Sequence, residues 1–526
     1  LKKTITTEEI IKDLKKVYRK FKKQFPKIKT RLTRDYYREE GKYSQSQINK
    51  LFGSFGNAFE NAFPKKVILE DITHPRENMI FKKKDISVNK RYFVTSIIAG
   101  MRVNEQFISS IKHYCKINKA ELILLVMRGT KKANVFSDGI YNTYKKHFAT
   151  EYIFNTNLKA MDFLLAPQQI ISLTGISRMS KKGCSLIIAH SKQALEVVPS
   201  KLGVYPHVVY STGCCNIPEY SCDRIGRIAQ QDHTQGGLIV EIENSKTFHI
   251  RHIQADNKNG FADLGKYYKD KNITNITSHI VLGDTHIGSE NKEALNISLE
   301  IINKLKCETV YFNDIVDSRS ISHHDEHNIK AKYDRKPHQQ YLETELTYSG
   351  NVVRKFIDGI KHKAKFIAIP SNHPEHLNRY LNEGRFVFDS AKNCKLACEL
   401  LPKLLDKINP IKYFWESRKL IKTNEILFPE RKDELLSFKF SIIHGDYSQN
   451  GQRGNMKSFD RCYDKSVSGH SHSPAVFRDT IRVGCLCELN QTYNDKGASS
   501  WLHTNAIIYS NGTFQLLNII EGSWRL

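Results

Sequence analysis

Between residues 276 and 526, five apolar, strand-like runs each end in a short cluster of Asp, Asn or His. That repeated arrangement limits the chain more than any other feature. His279-Ile280-Val281-Leu282 runs into Gly283-Asp284-Thr285-His286, and Thr309-Val310-Tyr311-Phe312 runs into Asn313-Asp314-Ile315-Val316-Asp317. Phe366-Ile367-Ala368-Ile369 leads to Ser371-Asn372-His373, Phe440-Ser441-Ile442-Ile443 to His444-Gly445-Asp446, and Ser466-Val467-Ser468 to Gly469-His470-Ser471-His472. Short apolar runs bounded by turn residues read as buried strands. In α/β sheets, ligands gather at the carboxyl ends of strands. A lone Asp-x-His or His-x-His is most often a surface turn. Five such clusters, each behind an apolar run, point instead to one shared site. The donors are carboxylate, amide and imidazole without thiolate, a set that favours Mn²⁺, Fe or Zn over Ca²⁺, with Mn²⁺ the first choice.

The order Asp-x-His, Asp-x-x-Asp, Asn-His, His, His-x-His resembles the calcineurin-like metallophosphoesterases over essentially all of 276–526. The resemblance implies an α/β fold in which a β-sandwich is flanked by helices and holds two divalent ions. It places Asp284, His286 and His472 on the first ion, Asp314 as the bridge, and Asn372, His444 and His470 on the second. His373 would be the catalytic histidine, protonating the leaving oxygen or stabilising the phosphoryl oxygens. A carboxylate suits the bridging place because a neutral side chain there would upset charge balance between the two cations. Asp317 is expected to orient the Asp314 loop or a ligand histidine. Ser320-Ile321-Ser322-His323-His324-Asp325 is similar to a segment of phage-encoded members. There His323 and His324 either line the phosphate site or form a polar surface loop. Asn313 and Ser371 stand where the family usually has glycine, which puts the geometry of those two loops in question.

The rest of the chain divides by pattern. Residues 1–64 are expected to form a basic helical module. The first 50 residues carry 16 Lys+Arg against 6 Asp+Glu. Thr6 to Glu9 and Ser44 to Gln47 have capping-box spacing. Ile10, Ile11, Leu14, Val17, Tyr18 and Phe21 fall on one helical face. Two further short helices are expected, around Ile48–Leu51 and after Gly53-Ser54. The stretch Tyr43–Ala58 resembles small helical repeats appended to homing endonucleases. That makes Lys15, Lys16, Arg19, Arg31 and Arg34 candidate DNA contacts, the alternative being a docking module for another subunit. Residues 65–275 read as an α/β accessory domain of unassigned role. Strand-like runs lie at 93–98, 121–126, 185–189, 207–210 and 237–242, with helical patterns at 103–116 and 158–165. Lys131, Lys132, Lys181 and Lys182 are weaker backbone-contact candidates. Cys214, Cys215 and Cys222 lack a second ligand pair at zinc-site spacing, so reduced thiols in a cytosolic protein are the simpler reading.

Lys+Arg number 81 and Asp+Glu 55, a formal net charge of +26. Such a balance favours a polyanionic partner. No apolar run reaches membrane-spanning length, and no secretory signal pattern opens the chain. A cytoplasmic location with no membrane contact is therefore expected, within a host bacterium if the chain is phage-encoded. The chain begins with Leu1, so the natural start is expected further upstream. The resembled family includes protein phosphatases, cyclic-nucleotide phosphodiesterases, nucleotidases and SbcD-type DNA nucleases, and the metal motifs do not choose among them. The charge, the basic module and the large accessory domain favour DNA. Host-DNA-degrading early nucleases of T-five-like bacteriophages are similar in overall plan. The expectation is a DNase acting on double-stranded DNA. A phosphatase of protein or nucleotide monoesters and a non-catalytic DNA-binding scaffold are the alternatives. The SbcD-type resemblance further implies a homo-oligomer.

Overall fold

The computed structural model describes residues 5–24, 32, 34–63, 73–130, 133–180, 183–201, 204–491 and 494–526. Arg31 and the lysines at 131, 132, 181 and 182 lie outside the described residues.

The N-terminal segment forms helices Thr7–Gln24, Arg34–Glu40, Gln45–Phe52 and Phe55–Ala62. The first opens with the Thr6–Glu9 capping box, in which Thr6 N donates to Glu9 Oε2 (3.1 Å) and Glu9 N donates to Thr6 Oγ1 (3.3 Å). Ser44 and Gln47 form the second box. Ile10, Leu14, Val17 and Phe21 enter a core shared with Tyr36, Tyr37, Ile48, Phe55 and Phe59. Arg34–Glu40 is a helix that the sequence reading lacked. It has only seven residues, and the aromatic pair Tyr36-Tyr37 holds it by burial rather than by propensity.

Beyond this segment the chain is mixed α/β, with several sheets that combine parallel and antiparallel pairs. One six-stranded sheet runs in the order Ile426–Leu427, Lys365–Ala368, Thr309–Asn313, Ser278–Asp284, His503–Tyr509, Phe514–Ile519. Its first four strands are parallel and its last two antiparallel. Alternate residues of the strand Ser278–Asp284 face opposite ways, as strand geometry requires. Ile280 and Leu282 pack under helices Lys292–Leu305 and Leu342–Asp358. Val281 faces a second sheet, in a core with Tyr311, Ile442, Val467 and Ile481.

That second sheet has eleven strands, and they come from both sides of residue 275. Strand His190–Val198 pairs antiparallel with Ala475–Phe477, through Ala194 with Phe477 and Leu195 with Val476. The segments 65–275 and 276–526 thus share a continuous ladder, and Leu195 and Tyr210 share a core with Val476 and Phe514. A five-stranded sheet lies wholly within the earlier segment, ordered Phe248–Gln254, Gly236–Ile242, Lys90–Ile98, Ala120–Met127, Phe148–Ala149.

One expected helix is absent. Residues 158–165 instead give the strand Leu158–Met161 and a loop. Leu158 and Ala160 are buried while Lys159 and Met161 are half-buried. This two-residue alternation is satisfied by pairing on both sides, with Glu151–Ile153 and Ser185–Ile188. All eleven cysteines are free thiols. Cys214 and Cys215 are buried while Cys222 is exposed. No helix among the described residues is long and apolar enough to cross a membrane.

Candidate metal centre

The two facing sheets deliver the sequence clusters to one place. The six-stranded sheet supplies Asp284 and His286 after one strand and Asp314 after the next. Asn372 and His373 lie at the start of helix Asn372–Asn382, behind the strand Lys365–Ala368. The eleven-stranded sheet supplies His444 behind Phe440–Ile442, and His470 and His472 behind Ser466–Ser468.

The donor atoms converge. His472 Nε2 lies 3.2 Å from Asp284 Oδ2 and 2.9 Å from His286 Nε2. His286 Nε2 is 3.5 Å from Asp314 Oδ2, and His444 Nε2 is 3.3 Å from the same oxygen. His444 Nε2 is 2.7 Å from Asn372 Oδ1, which is also 3.2 Å from His470 Nδ1. Two groups of donors therefore meet at Asp314. Asp284, His286, Asp314, His444 and His472 are all buried.

Two observations argue that cations belong there. Asp284 is fully buried, yet neither carboxylate oxygen accepts a hydrogen bond. A buried charge left so costs several kcal/mol, roughly, unless a cation balances it. In addition, His286, Asp314, His470 and His472 all have positive φ, between 40° and 69°. Non-glycine residues rarely adopt that region, and clusters of such strain mark ligand-holding loops. Side chains able to hold a metal fall within reach of one another as Asp284–Asp314–His444, His286–Asp314–His373 and His286–His472–Cys487.

The electrostatics follow from burial and neighbours. Burial pushes the Asp284 carboxyl upward, against the pull of His444 and with the Asp314 charge adding. Burial would also raise Asp314, but His444, His373 and His286 outweigh it and hold Asp314 ionised. Burial lowers His470 to about 4, leaving a neutral imidazole, the form able to bind a metal. Burial also works against the charged form of His373, but Asp314 and Asp317 prevail and raise its pKa to about 9.

Asp317 braces two histidines at once. Its Oδ1 lies 3.3 Å from His286 Nδ1 and 3.2 Å from His373 Nδ1, and its Oδ2 accepts from Ser289 Oγ at 2.6 Å. His373 Nδ1 also lies 2.8 Å from the Asp317 carbonyl oxygen. Nδ1 is thereby committed to Asp317, and Nε2 is left for the cavity that His373 lines.

The two glycine departures are explained. Asn313 ends its strand without positive φ, and the left-handed residue is Asp314. Asn313 Nδ2 donates to Leu282 O (2.9 Å), and its Oδ1 lies 3.2 Å from His444 Nδ1, so it orients a donor histidine. Ser371 has an extended backbone, φ −142°, that any residue adopts.

His323 and His324 are not among the donor groups that contain Asp314. They sit on a 3₁₀ turn, His323–Asp325, against the helix of His373, and form a separate triad with His376. His323 Nε2 is 3.1 Å from Arg379 Nη1. Lys15, Lys16, Arg19 and Arg34 are exposed on the N-terminal helices.

The cavity over the centre measures about 310 Å³ and is lined by Asp314, Asn372, His373, Arg453, His470, Ser471, His472 and Trp501. Arg453 and Trp501 were missed in the sequence. Trp501 packs edge-on against His472 at 4.0 Å between ring centroids. Neither belongs to a strand-end cluster, so no local spacing marks them.

No family model matches the chain. Among curated proteins, "Protein A1" of Escherichia phage T5 is a distant relative, 24% identical over 474 residues and matched over 84% of each chain. A solved structure matched over 46% of this chain and 99% of its own is 9% identical with a TM-score of 0.23, too slight a likeness to carry an argument.

Proposed function

We propose that the chain is a two-metal DNase that hydrolyses phosphodiester bonds of double-stranded DNA, encoded by a phage and acting on host DNA. The observation that carries the phosphoesterase reading is the convergence of six donor side chains around a seventh, Asp314, with the buried Asp284 carboxylate lacking any hydrogen bond. Asp284, His286 and His472 would hold one ion, Asn372, His444 and His470 the other, and Asp314 both, with Mn²⁺ the first choice and Fe or Zn next. Two such ions, when bound, withdraw charge from phosphoryl oxygens and make hydroxide available near neutral pH.

The protein's own groups do the rest. Asp317 fixes the His373 ring through Nδ1, which leaves Nε2 to give a proton to the departing oxygen. Asn313 and Asp317 fix the tilt of His444 and His286, so that the donors are set before substrate arrives. Arg453, at the cavity wall, would meet a backbone phosphate.

DNA as substrate is supported by the net charge of +26, by the exposed Lys15, Lys16 and Arg19 on the first helix, and by a distant relative from a phage. The test is purified chain with Mn²⁺ given linear duplex DNA, closed circular DNA and p-nitrophenyl phosphate. Loss of DNA supports the proposal. Rapid monoester hydrolysis with both DNAs intact makes it a phosphatase. DNA binding without any hydrolysis makes it a scaffold.

A further inference from the structure

Ten of the eleven strands in the larger sheet form two halves that mirror one another, with Lys82–Lys84 left over at one edge. Outward from His190–Val198, the neighbours are His207–Gly213 (antiparallel), Ser185–Ile188 (parallel), Leu158–Met161 (parallel) and Glu151–Ile153 (antiparallel). Outward from Ala475–Phe477, they are Thr480–Arg482 (antiparallel), Ser466–Ser468 (parallel), Phe440–Ile442 (parallel) and Leu436–Ser437 (antiparallel). The five-stranded sheet and five strands of the six-stranded sheet repeat each other in the same way. Phe148–Ala149, Ala120–Met127, Lys90–Ile98, Gly236–Ile242 and Phe248–Gln254 are joined parallel, parallel, antiparallel, antiparallel. So are Lys365–Ala368, Thr309–Asn313, Ser278–Asp284, His503–Tyr509 and Phe514–Ile519. Corresponding strands also follow the same order along the chain.

Shared strand order alone is common among α/β sheets, but the correspondence reaches single hydrogen bonds. Cys215 N donates to Ser96 O (2.9 Å), and Leu486 N donates to Asp284 O (2.8 Å). Asn104 N donates to Cys215 O and Asn291 N donates to Leu486 O, both at 2.8 Å. Each Asn then caps the next helix, Asn104 accepting from Phe107 N and Asn291 from Ala294 N. The bridge of Ser96 with Cys214 matches that of Asp284 with Cys485. Ladder register then matches Ile188 with Ser468, through Ser211 and Arg482. The residues that follow are Ala189-His190-Ser191-Lys192 in one copy and Gly469-His470-Ser471-His472 in the other.

We infer that residues 90–254 are a second copy of the two-sheet unit that carries the metal centre, joined to it about a pseudo-twofold axis, and that this copy holds no metal. The axis passes through the pair Leu195–Val476, whose members correspond to each other, which is the self-matching contact that a twofold requires. Ser96 stands for Asp284, Asp162 for His444, and Lys192 for His472, while His190 alone keeps its type. The helix that brings Asn372 and His373 has no counterpart, because the strand Phe148–Ala149 passes almost directly into Glu151–Ile153.

The vacated positions are neutralised by protein groups. Lys192 Nζ is 2.8 Å from Asp232 Oδ2, and Asp162 pairs with the buried Arg76. Ser96 Oγ meets Thr212 Oγ1 at 2.6 Å. The loop after Asp162 lies across the strand ends, with Pro167 O accepting from Ser191 Oγ and Ile170 O from Lys192 Nζ. Among the described residues, every cluster able to hold a metal lies in the later copy. The earlier copy acts as a built-in partner. It covers the edge strand Ala475–Phe477, which would otherwise offer unpaired backbone groups to another chain.

The metal arm of the test rests on the two-metal reading above, whereas the duplication does not. The experiment is a crystal structure of the full chain soaked in MnCl₂, read in a manganese anomalous difference map. The expected result is peaks beside Asp314, none beside His190 or Asp162, and a half-turn that lays 189–192 on 469–472. A peak in the earlier copy, or strands that no half-turn superposes, overturns the inference. With no peak anywhere, the two-metal reading falls while the superposition still decides the duplication. In solution, Lys192→Met should keep the manganese count and the DNA cleavage rate of the parent chain. Folded Lys192→Met with cleavage lost would place the earlier copy in catalysis and refute its silence.

Discussion

Gly469→Ala tests the site and the duplication together. A Cβ at position 469 would lie 2.2 Å from Asp284 Oδ1 and 3.2 Å from Asn313 Cγ. Asp284 is fully buried on a strand end, so making room for the methyl group must shift its carboxylate from its place beside His472. Overpacking of this kind costs about 1–3 kcal/mol. Charged to metal binding, that is a loss of roughly 5–150-fold in affinity. The earlier copy shows the compensated arrangement, in which Ala189 stands at this position with the smaller Ser96 where the carboxylate would be. Asp284→Ser should therefore remove the clash. The double variant Asp284→Ser with Gly469→Ala should be no less stable than Asp284→Ser alone, although neither binds manganese normally. Calorimetric titration of manganese and chemical denaturation of the four proteins complete the cycle. Strict additivity of the two stability changes, or parent-like manganese affinity in Gly469→Ala, would refute the reasoning.

Asp317→Asn should slow DNA cleavage by roughly 10–100-fold while keeping most bound manganese, because it unsettles His373 and His286 without removing a donor; steady-state rates beside metal analysis check this. His373→Ala should lower kcat by about 10²–10⁴-fold with two ions still bound, and loss of metal would contradict its assigned place. Removing metal with a chelator should lower the thermal midpoint, since ions that bind only the folded state contribute about 2.7 kcal/mol at 100 times Kd; an unchanged midpoint would count against a metal balancing Asp284. Lys15→Glu, Lys16→Glu and Arg19→Glu should each weaken duplex binding and reduce its salt slope by roughly one for each phosphate no longer neutralised. Unchanged salt dependence would assign the N-terminal helices to another partner.

The convergence of the candidate donors was legible in the sequence because each cluster sits directly behind its own strand. His470 and His472 need only the local spacing His-x-His, and Asp314 only the strand Thr309–Asn313 before it. What escaped is non-local. The part played by Asn313 depends on His444, which is 131 residues away. Trp501 reaches the site from a loop with no motif. Cys487, which joins His286 and His472 in one cluster, comes from a part of the chain that carries no donor motif. The segment 158–165 read as a helix because its apolar residues fit two periods, and only pairing on both sides decides between them. The duplication was hidden by its own chemistry. Once Ser96, Asp162 and Lys192 occupied the donor positions, the metal motif survived only as Ala189-His190-Ser191-Lys192.

The central claim is that Asp314 joins two cations in one hydrolytic centre. It is tested most directly by counting manganese and following duplex DNA in the same sample, for the parent chain and for Asp314→Ala. The parent should hold two ions per chain and cleave DNA only when they are present. Asp314→Ala should remain folded, lose both the ion pair and cleavage, and still bind DNA. Asp314→Ala that keeps two ions, or that cleaves at the parent rate, would contradict the account.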